Sequence, residues 1–198
     1  MQYYRDIPQQ AEASAVALGF FDGVHTAHVQ VIRAVLEQEE CIPTVLTFSA
    51  DTSLPISKAG SGLLTTEEQK RRRIAALGIR QMFSPSFSDI GMLTAEEFFE
   101  EILRKKLCAR VLACGYDYHF GKGAKGNTAL LQQWCAACGI RLIVVPRCEA
   151  YGITVSSSEI RRAILYGACK CVAGLSVYNR RNGYTWEKFG KDARVSDT

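Results

Sequence analysis

Long apolar runs are missing from this 198-residue chain, and none approaches the roughly 18 residues that a membrane span requires. The first ten residues, MQYYRDIPQQ, lack the apolar stretch of a secretory leader, so the expectation is a cytoplasmic protein. Charge of one sign is also thin, with 24 basic against 20 acidic residues and a net +4. The basic residues are dispersed except at Lys70–Arg73 and near Arg161, whereas a duplex-binding surface carries a denser stripe. Nucleic acid is therefore not a suggested partner, and small anionic ligands fit better. No Gly-x-Gly-x-x-Gly follows the first strand and no Walker A sequence occurs, which argues against a nicotinamide dehydrogenase and a P-loop kinase. There is no internal repeat.

Cysteine is not scarce, at eight residues, but most lie in apolar runs, so Cys41, Cys108, Cys114 and Cys148 read as buried thiols. Cys135-Ala-Ala-Cys138 has redox or zinc spacing, yet it falls inside an amphipathic helical pattern. A second pair exists only if folding brings up Cys169 and Cys171.

What the chain does have is alternation. Tyr3 and Tyr4 suggest a short strand or turn. Val16–Phe20 reads as a strand, about 27–39 as a helix, and Ile42–Phe48 as a fully buried strand. Residues 49–64 shift to Ser, Gly, Pro, Asp and Lys, the composition of a loop. Thr66-Glu67-Glu68-Gln69 and Thr94-Ala95-Glu96-Glu97 are capping boxes that open helices to about Leu77 and Leu107. Strands are expected at Ile79–Phe83, Ala109–Cys114 and Ile140–Val145, with a helix from Asn127 or Thr128 to Cys138 closed by Gly139. Ser156 and Glu159 form a third capping box, for a helix ended by Gly167, and residues 168–175 could continue it.

With 47% hydrophobic residues the chain can bury one sizeable core. The pattern predicts a Rossmann-like three-layer α/β fold with a mainly parallel sheet over residues 1–175. Residues 176–198 are expected to form a polar, basic tail. In such a fold the loops leaving the carboxyl ends of the strands gather around one site. Three are candidates: the loop after the first strand, residues 49–64, and Gly115–Gly126.

The first of these is the richest in chemistry. Gly19, Phe20, Phe21, Asp22 and Gly23 make a tight turn, and His25 and His28 then stand where a helix begins. Two histidines at this spacing could be a functionless pair. Set between a glycine turn and the positive end of a helix, they point to phosphate. Metal ligation by the pair is weaker, since Asp22 is the only nearby third ligand, and Asp22 could equally be a turn residue. Arg161, after Ser157 and Ser158 at a helix start, has the form of a phosphate grip, although the serines could simply cap. Lys122 and Lys125, in a glycine-rich loop, could also meet phosphates.

These segments together resemble a known family. Gly19-Phe20-Phe21-Asp22-Gly23-Val24-His25-Thr26-Ala27-His28 is similar to the opening motif of the bacterial FAD synthetases, whose adenylyltransferase module is an HxGH nucleotidyltransferase. Leu46-Thr47-Phe48, Leu64-Thr65-Thr66 with Glu68 and Lys70, Leu77-Gly78, Met92–Phe98, Gly115–Gly121, Gly126-Asn127 and Val155–Arg161 follow in the family order. The similarity covers about residues 10 to 175. It implies transfer of AMP from ATP to FMN, with Mg²⁺, giving FAD and pyrophosphate. His25, His28 and Arg161 would be catalytic and would hold the triphosphate. Gly19–Gly23, Asp117, Ser157 and Ser158 would line the nucleotide and flavin site. The metal ligands are left open.

The chain departs from the family pattern in ways that bear on activity. Phe20 replaces Asn, Ala27 replaces Gly, the stretch Ala50–Thr52 replaces Pro-His-Pro, and Glu159 stands where a basic residue is common. No riboflavin kinase module is expected in residues 176–198. Two alternatives therefore accompany the adenylyltransferase reading: nucleotidyl transfer to another phosphorylated small molecule, and a degenerate binder of flavin or adenine nucleotide.

Overall fold

The computed structural model describes residues 1–49, 62–150 and 153–165. The order of elements is β1 (Gln2–Tyr4), β2 (Ser14–Leu18), α1 (Thr26–Leu36), β3 (Ile42–Leu46), α2 (Glu67–Ala76), β4 (Gln81–Phe83), a single turn α3 (Phe87–Ile90) and α4 (Ala95–Glu97). A π-helix (Phe98–Lys106) continues α4, followed by β5 (Ala109–Gly115), β6 (His119–Phe120), β7 (Gly126–Asn127), α5 (Thr128–Cys138), β8 (Arg141–Val145), β9 (Glu149–Ala150), β10 (Ile153–Thr154) and α6 (Ser157–Leu165). The expected tail, the 175/176 boundary, Gly167 and most of the 49–64 loop lie outside the described residues.

The sheet has six parallel strands in the order β1-β4-β3-β2-β5-β8. β2 is buried along its whole length and alternates strictly. Val16 and Leu18 face a core with Leu46, Phe83, Phe99, Leu103, Leu112 and Leu131. Ala15 and Ala17, with Ala113, face a second core with Ile32, Val35, Val45, Ile74 and Met82. The π-helix and α5 thus cover one face and α1 and α2 the other, which is the expected three-layer arrangement. The small residues on the second face let α1 lie close over β2 and β5.

Several boundaries differ from the sequence expectation. β2 ends at Leu18 and β3 at Leu46, each two residues short of the expected Phe20 and Phe48. The segment around Tyr3 is a true strand, paired in parallel with β4 from Gln2↔Gln81 to Tyr4↔Phe83. The helix before Leu107 is π-helical: the Leu107 N–H donates to the Ile102 carbonyl at 2.9 Å, an i→i+5 bond. Two of the three expected capping boxes are present, at Thr66/Gln69 and Thr94/Glu97, at the third the Glu159 N–H donates to Ser156 Oγ at 3.2 Å, and Gly139 ends α5 in the left-handed conformation.

Crossovers from β2 run one way across the sheet to β3, while β5 lies on the other side of β2. The carboxyl ends of β2 and β5 therefore flank a topological switch point, where open α/β sheets bind ligands.

Candidate active site

A cleft of about 920 Å³ opens at that point, within the range of small-molecule sites. Of the residues expected there, Gly19, Phe20, Phe21, Asp22, His25, His28, Asp117, Ser157, Ser158 and Arg161 all line it, as do Ala27 and Lys122. Gly23 does not. Its N–H donates to Thr65 Oγ1 at 3.1 Å, and its carbonyl accepts from Arg73 Nη1 at 2.7 Å, so it fastens the loop from behind.

The loop from β2 to α1 is strained. Phe21 has φ 54° and Val24 has φ 43°, a left-handed conformation that costs roughly 1–3 kcal/mol for a non-glycine residue. Gly23 is also left-handed at φ 83°, and a Cβ there would lie 2.9 Å from Leu64 Cδ1. What holds the strained turn is Asp22. Its Oδ1 accepts from Leu64 N–H at 2.9 Å, Thr65 N–H at 3.1 Å and the Thr65 hydroxyl at 3.3 Å. Its Oδ2 accepts from Leu64 N–H at 3.1 Å and is paired with Arg161 Nη2. The Ser157 hydroxyl donates to the Asp22 carbonyl at 3.0 Å. Turn residue and site residue are thus one role: Asp22 ties the loop to residues 62–65 and to α6.

His25 is the N-cap of α1, its Nδ1 accepting from the His28 N–H at 3.4 Å. The two rings stack with centroids 3.5 Å apart, 19° from parallel, and Phe21 meets His28 edge-on at 5.3 Å. His25 is only 3% exposed, and burial, reinforced by the Arg161 charge, pushes its pKa down to about 4. It is therefore neutral at pH 7, and because Nδ1 accepts, Nε2 carries the proton. The first turn of α1 carries no acidic residue to oppose an anion.

Arg161 approaches from α6. Its Nε donates to the Gly62 carbonyl at 2.8 Å and its Nη2 to Asp22, while Nη1 meets no acceptor among the described residues. Glu159 turns to Arg162 at 3.4 Å and does not line the cleft, so the acidic residue that stands where the family commonly has a basic one is directed elsewhere. The Ala27 methyl packs with Val155 and Ile160, joining α1 to α6.

The opposite wall is aromatic and was less legible in sequence. Phe48, Phe87, Met92 and Tyr116 line the cleft with Phe20. Phe48 and Phe87 meet edge-on at 5.6 Å, and Met92 and Tyr116 are 66% and 46% exposed. Residues 121–126 carry Gly-x-Gly-x-x-Gly spacing, but packing accounts for its ends. A Cβ on Gly121 would lie 2.6 Å from the Ala95 backbone, and one on Gly126 would lie 2.8 Å from the Phe120 ring. Lys122 nevertheless reaches the cleft, whereas Lys125 does not line it.

Beneath Phe20 lies Lys70, which the sequence presents as part of a basic surface run but which is 3% exposed. Burial lowers its pKa, with Glu67 and Asp22 opposing the shift. Of the four cysteines expected to be buried, only Cys114 is; Cys41, Cys108 and Cys148 are half-buried. Cys135 and Cys138 are free thiols on α5, and burial pushes the Cys135 pKa up to about 11, which does not suit a redox nucleophile. Among the described residues no three His, Cys, Asp or Glu side chains converge to hold a metal ion. Cys169 and Cys171 lie outside the described residues.

Comparison with known proteins agrees with the sequence resemblance. A family profile described as FAD synthetase matches residues 7–159. The chain belongs to the FAD synthetase family. It is 32% identical over 158 residues to the bifunctional riboflavin kinase/FMN adenylyltransferase of Listeria monocytogenes, covering 77% of this chain and 50% of that protein. It is 28% identical over 164 residues to a protein of the same organism named FAD synthetase, covering 80% of this chain and 66% of the other. The chain thus spans half the length of the first of these FAD synthetase relatives. Among solved structures it is similar to one described as a macrolide-efflux protein from Streptococcus pneumoniae. There the TM-score is 0.74 at 26% identity, covering 87% of this chain and 58% of that one. Among the described residues no helix is long and apolar enough to cross a membrane.

Proposed function

We propose that the chain is an FMN adenylyltransferase of the cytoplasm, joining the AMP moiety of ATP to FMN. The observation that carries this reading is the two-sided cleft at the switch point, which faces stacked His25 and His28 at the α1 N-terminus with Arg161 and Ser157 on one side and with aromatic residues on the other. A nucleotide pair has the same division, anionic phosphates joined to flat rings.

In the reaction an oxygen of the FMN phosphate attacks the α-phosphorus of ATP in line. The bond from that phosphorus to the bridging oxygen breaks, and pyrophosphate leaves with the electron pair. The nucleophile arrives ionised, so no general base is required, and catalysis consists of positioning and charge neutralisation. Arg161 supplies the fixed cation, and its Nη1 is the donor available to phosphate. His28 and the α1 N-terminus supply donors on the facing side, and neutral His25 sets the His28 backbone. Asp117 and Ser158, at the rim, would contact the ribose and phosphate portions.

Asp22 does not suit a metal ligand, because both its oxygens already accept hydrogen bonds and one faces Arg161. Mg²⁺ bound with ATP would be held by the phosphate oxygens rather than by Asp22 and would supply further charge neutralisation there. The test is to supply ATP, FMN and Mg²⁺ and measure FAD and pyrophosphate in equal amounts. Inactivity under conditions that support the Listeria monocytogenes relative would overturn the reading. Tight nucleotide binding without turnover would make the chain a binder, and product from a different phosphorylated acceptor would change the substrate.

A further inference from the structure

We propose that Lys70 is a positioning residue for ring recognition, seating Phe20 and Phe48 as the wall against which a planar heterocycle of the nucleotide substrates packs. The choice of rings rests on the adenylyl-transfer reading, whereas the seat itself rests on the following geometry.

Lys70 has two hydrogen-bond acceptors and a facing carboxylate around its ammonium. Its Nζ lies 2.8 Å from the Phe48 carbonyl, 3.3 Å from Thr47 Oγ1 and 3.0 Å from Glu67 Oε2. The Phe20 ring centroid is 5.0 Å away, within cation–π distance. With its charge paired to Glu67 and only 4% of its side chain exposed, Lys70 does not line the cleft and acts through the groups it holds. Those groups belong to the cleft. Thr47 accepts from Lys70 and donates its own proton to the Phe20 carbonyl at 2.8 Å, so one hydroxyl links the cation to the loop after β2. Both Phe20 and Phe48 line the cleft.

Glu67 fixes the other end. Its Oε1 accepts from the Ser84 hydroxyl at 2.7 Å and from the Tyr3 hydroxyl at 3.4 Å. The cluster therefore ties Tyr3 of β1, the exits of β2, β3 and β4, and α2 to one charge pair. Burying an ion pair is costly, and fastening strand ends alone could be done by apolar side chains. What an apolar residue could not do is donate simultaneously to Thr47 and to the Phe48 carbonyl while presenting positive charge to the Phe20 ring.

The test compares Lys70→Met and Phe20→Leu with the unmodified chain in binding three probes. These are FMN, followed by flavin fluorescence, a non-hydrolysable ATP analogue, followed by calorimetry, and inorganic tripolyphosphate, which has no ring. Lys70→Met is expected to weaken at least one ring-bearing probe about tenfold, the scale of a lost aromatic stack, and to leave tripolyphosphate within about twofold. Phe20→Leu should weaken the same probe, and the double variant should be no worse than the poorer single. Whether FMN or the ATP analogue responds identifies the ring.

Equal loss for tripolyphosphate, or no loss for any probe, would overturn the proposal. If Lys70→Met does not unfold cooperatively, Phe20→Leu decides by the same criterion. Normal probe binding with no FAD formation would remove the adenylyl-transfer reading and leave the ring seat standing, whereas a wild-type chain that binds neither FMN nor the ATP analogue would remove both.

Discussion

Two buried ion pairs flank the loop after β2, and they differ in how completely their cations are engaged. Lys70 is paired with Glu67, donates to Thr47 and to the Phe48 carbonyl, and is shut off from the cleft. Arg161 is paired with Asp22, is 13% exposed, and has one nitrogen without an acceptor among the described residues. A compact ammonium can be saturated by three neighbours, while a guanidinium held on two sides still presents a third. The contrast teaches that burial of a charge does not by itself say whether it builds the site or works in it. Counting donors against acceptors does.

The largest effect should come from Arg161→Ala. It is expected to lower kcat/KM for FAD formation by about 10³-fold with little change in secondary structure, since it removes the fixed cation proposed to face the triphosphate. A loss of only about threefold would make both pairs architectural and erase the distinction. His28→Ala tests the same side of the cleft and should lower turnover by about 10²-fold, the value of a lost transition-state donor. An unchanged rate would leave Arg161 acting alone.

The Asp22–Arg161 side should also show in the pH dependence of stability. The folded-state pKa of His25, about 4, lies below its ordinary value of 6.5, so folding favours the neutral ring. The unfolded chain binds the extra proton between these values, so stability is fully present above about pH 6.5 and is lost as pH falls toward 4. Urea titrations across that window should lose up to about 3 kcal/mol from this residue. The slope should flatten in His25→Gln and diminish in Arg161→Ala, whose charge contributes to the shift. The smallest effect is expected on the Lys70 side. Thr66→Ala removes the cap of the helix that carries Lys70 and should cost about 1 kcal/mol in stability, with kcat nearly unchanged.

The sheet was readable because its signals are local. β2, β3, β5 and β8 are apolar runs, and Thr66, Thr94, Asn127 and Gly139 mark helix ends through bonds that span three or four residues. The convergence of the first loop, Asp117 and Ser157–Arg161 was readable from parallel topology. Their pairing was not, because Asp22 and Arg161 are 139 positions apart and each alone resembles an ordinary surface residue. Lys70 was hidden for a related reason: in a basic run it reads as solvated, and only Thr47, Phe48 and Glu67, brought together by folding, make its burial tolerable. The pairing of β1 with β4 was likewise invisible in a three-residue segment with no periodicity to speak of.

The left-handed Phe21 and Val24 cannot hold their shape without help from residues 62–65 and α6, which reach them through Asp22. The turn proposed to face phosphate should therefore be among the last parts to assemble, since both its braces must dock before it can bend. On warming the order should reverse, with catalysis fading while the strands are still paired. Heat would silence this protein before it melts it.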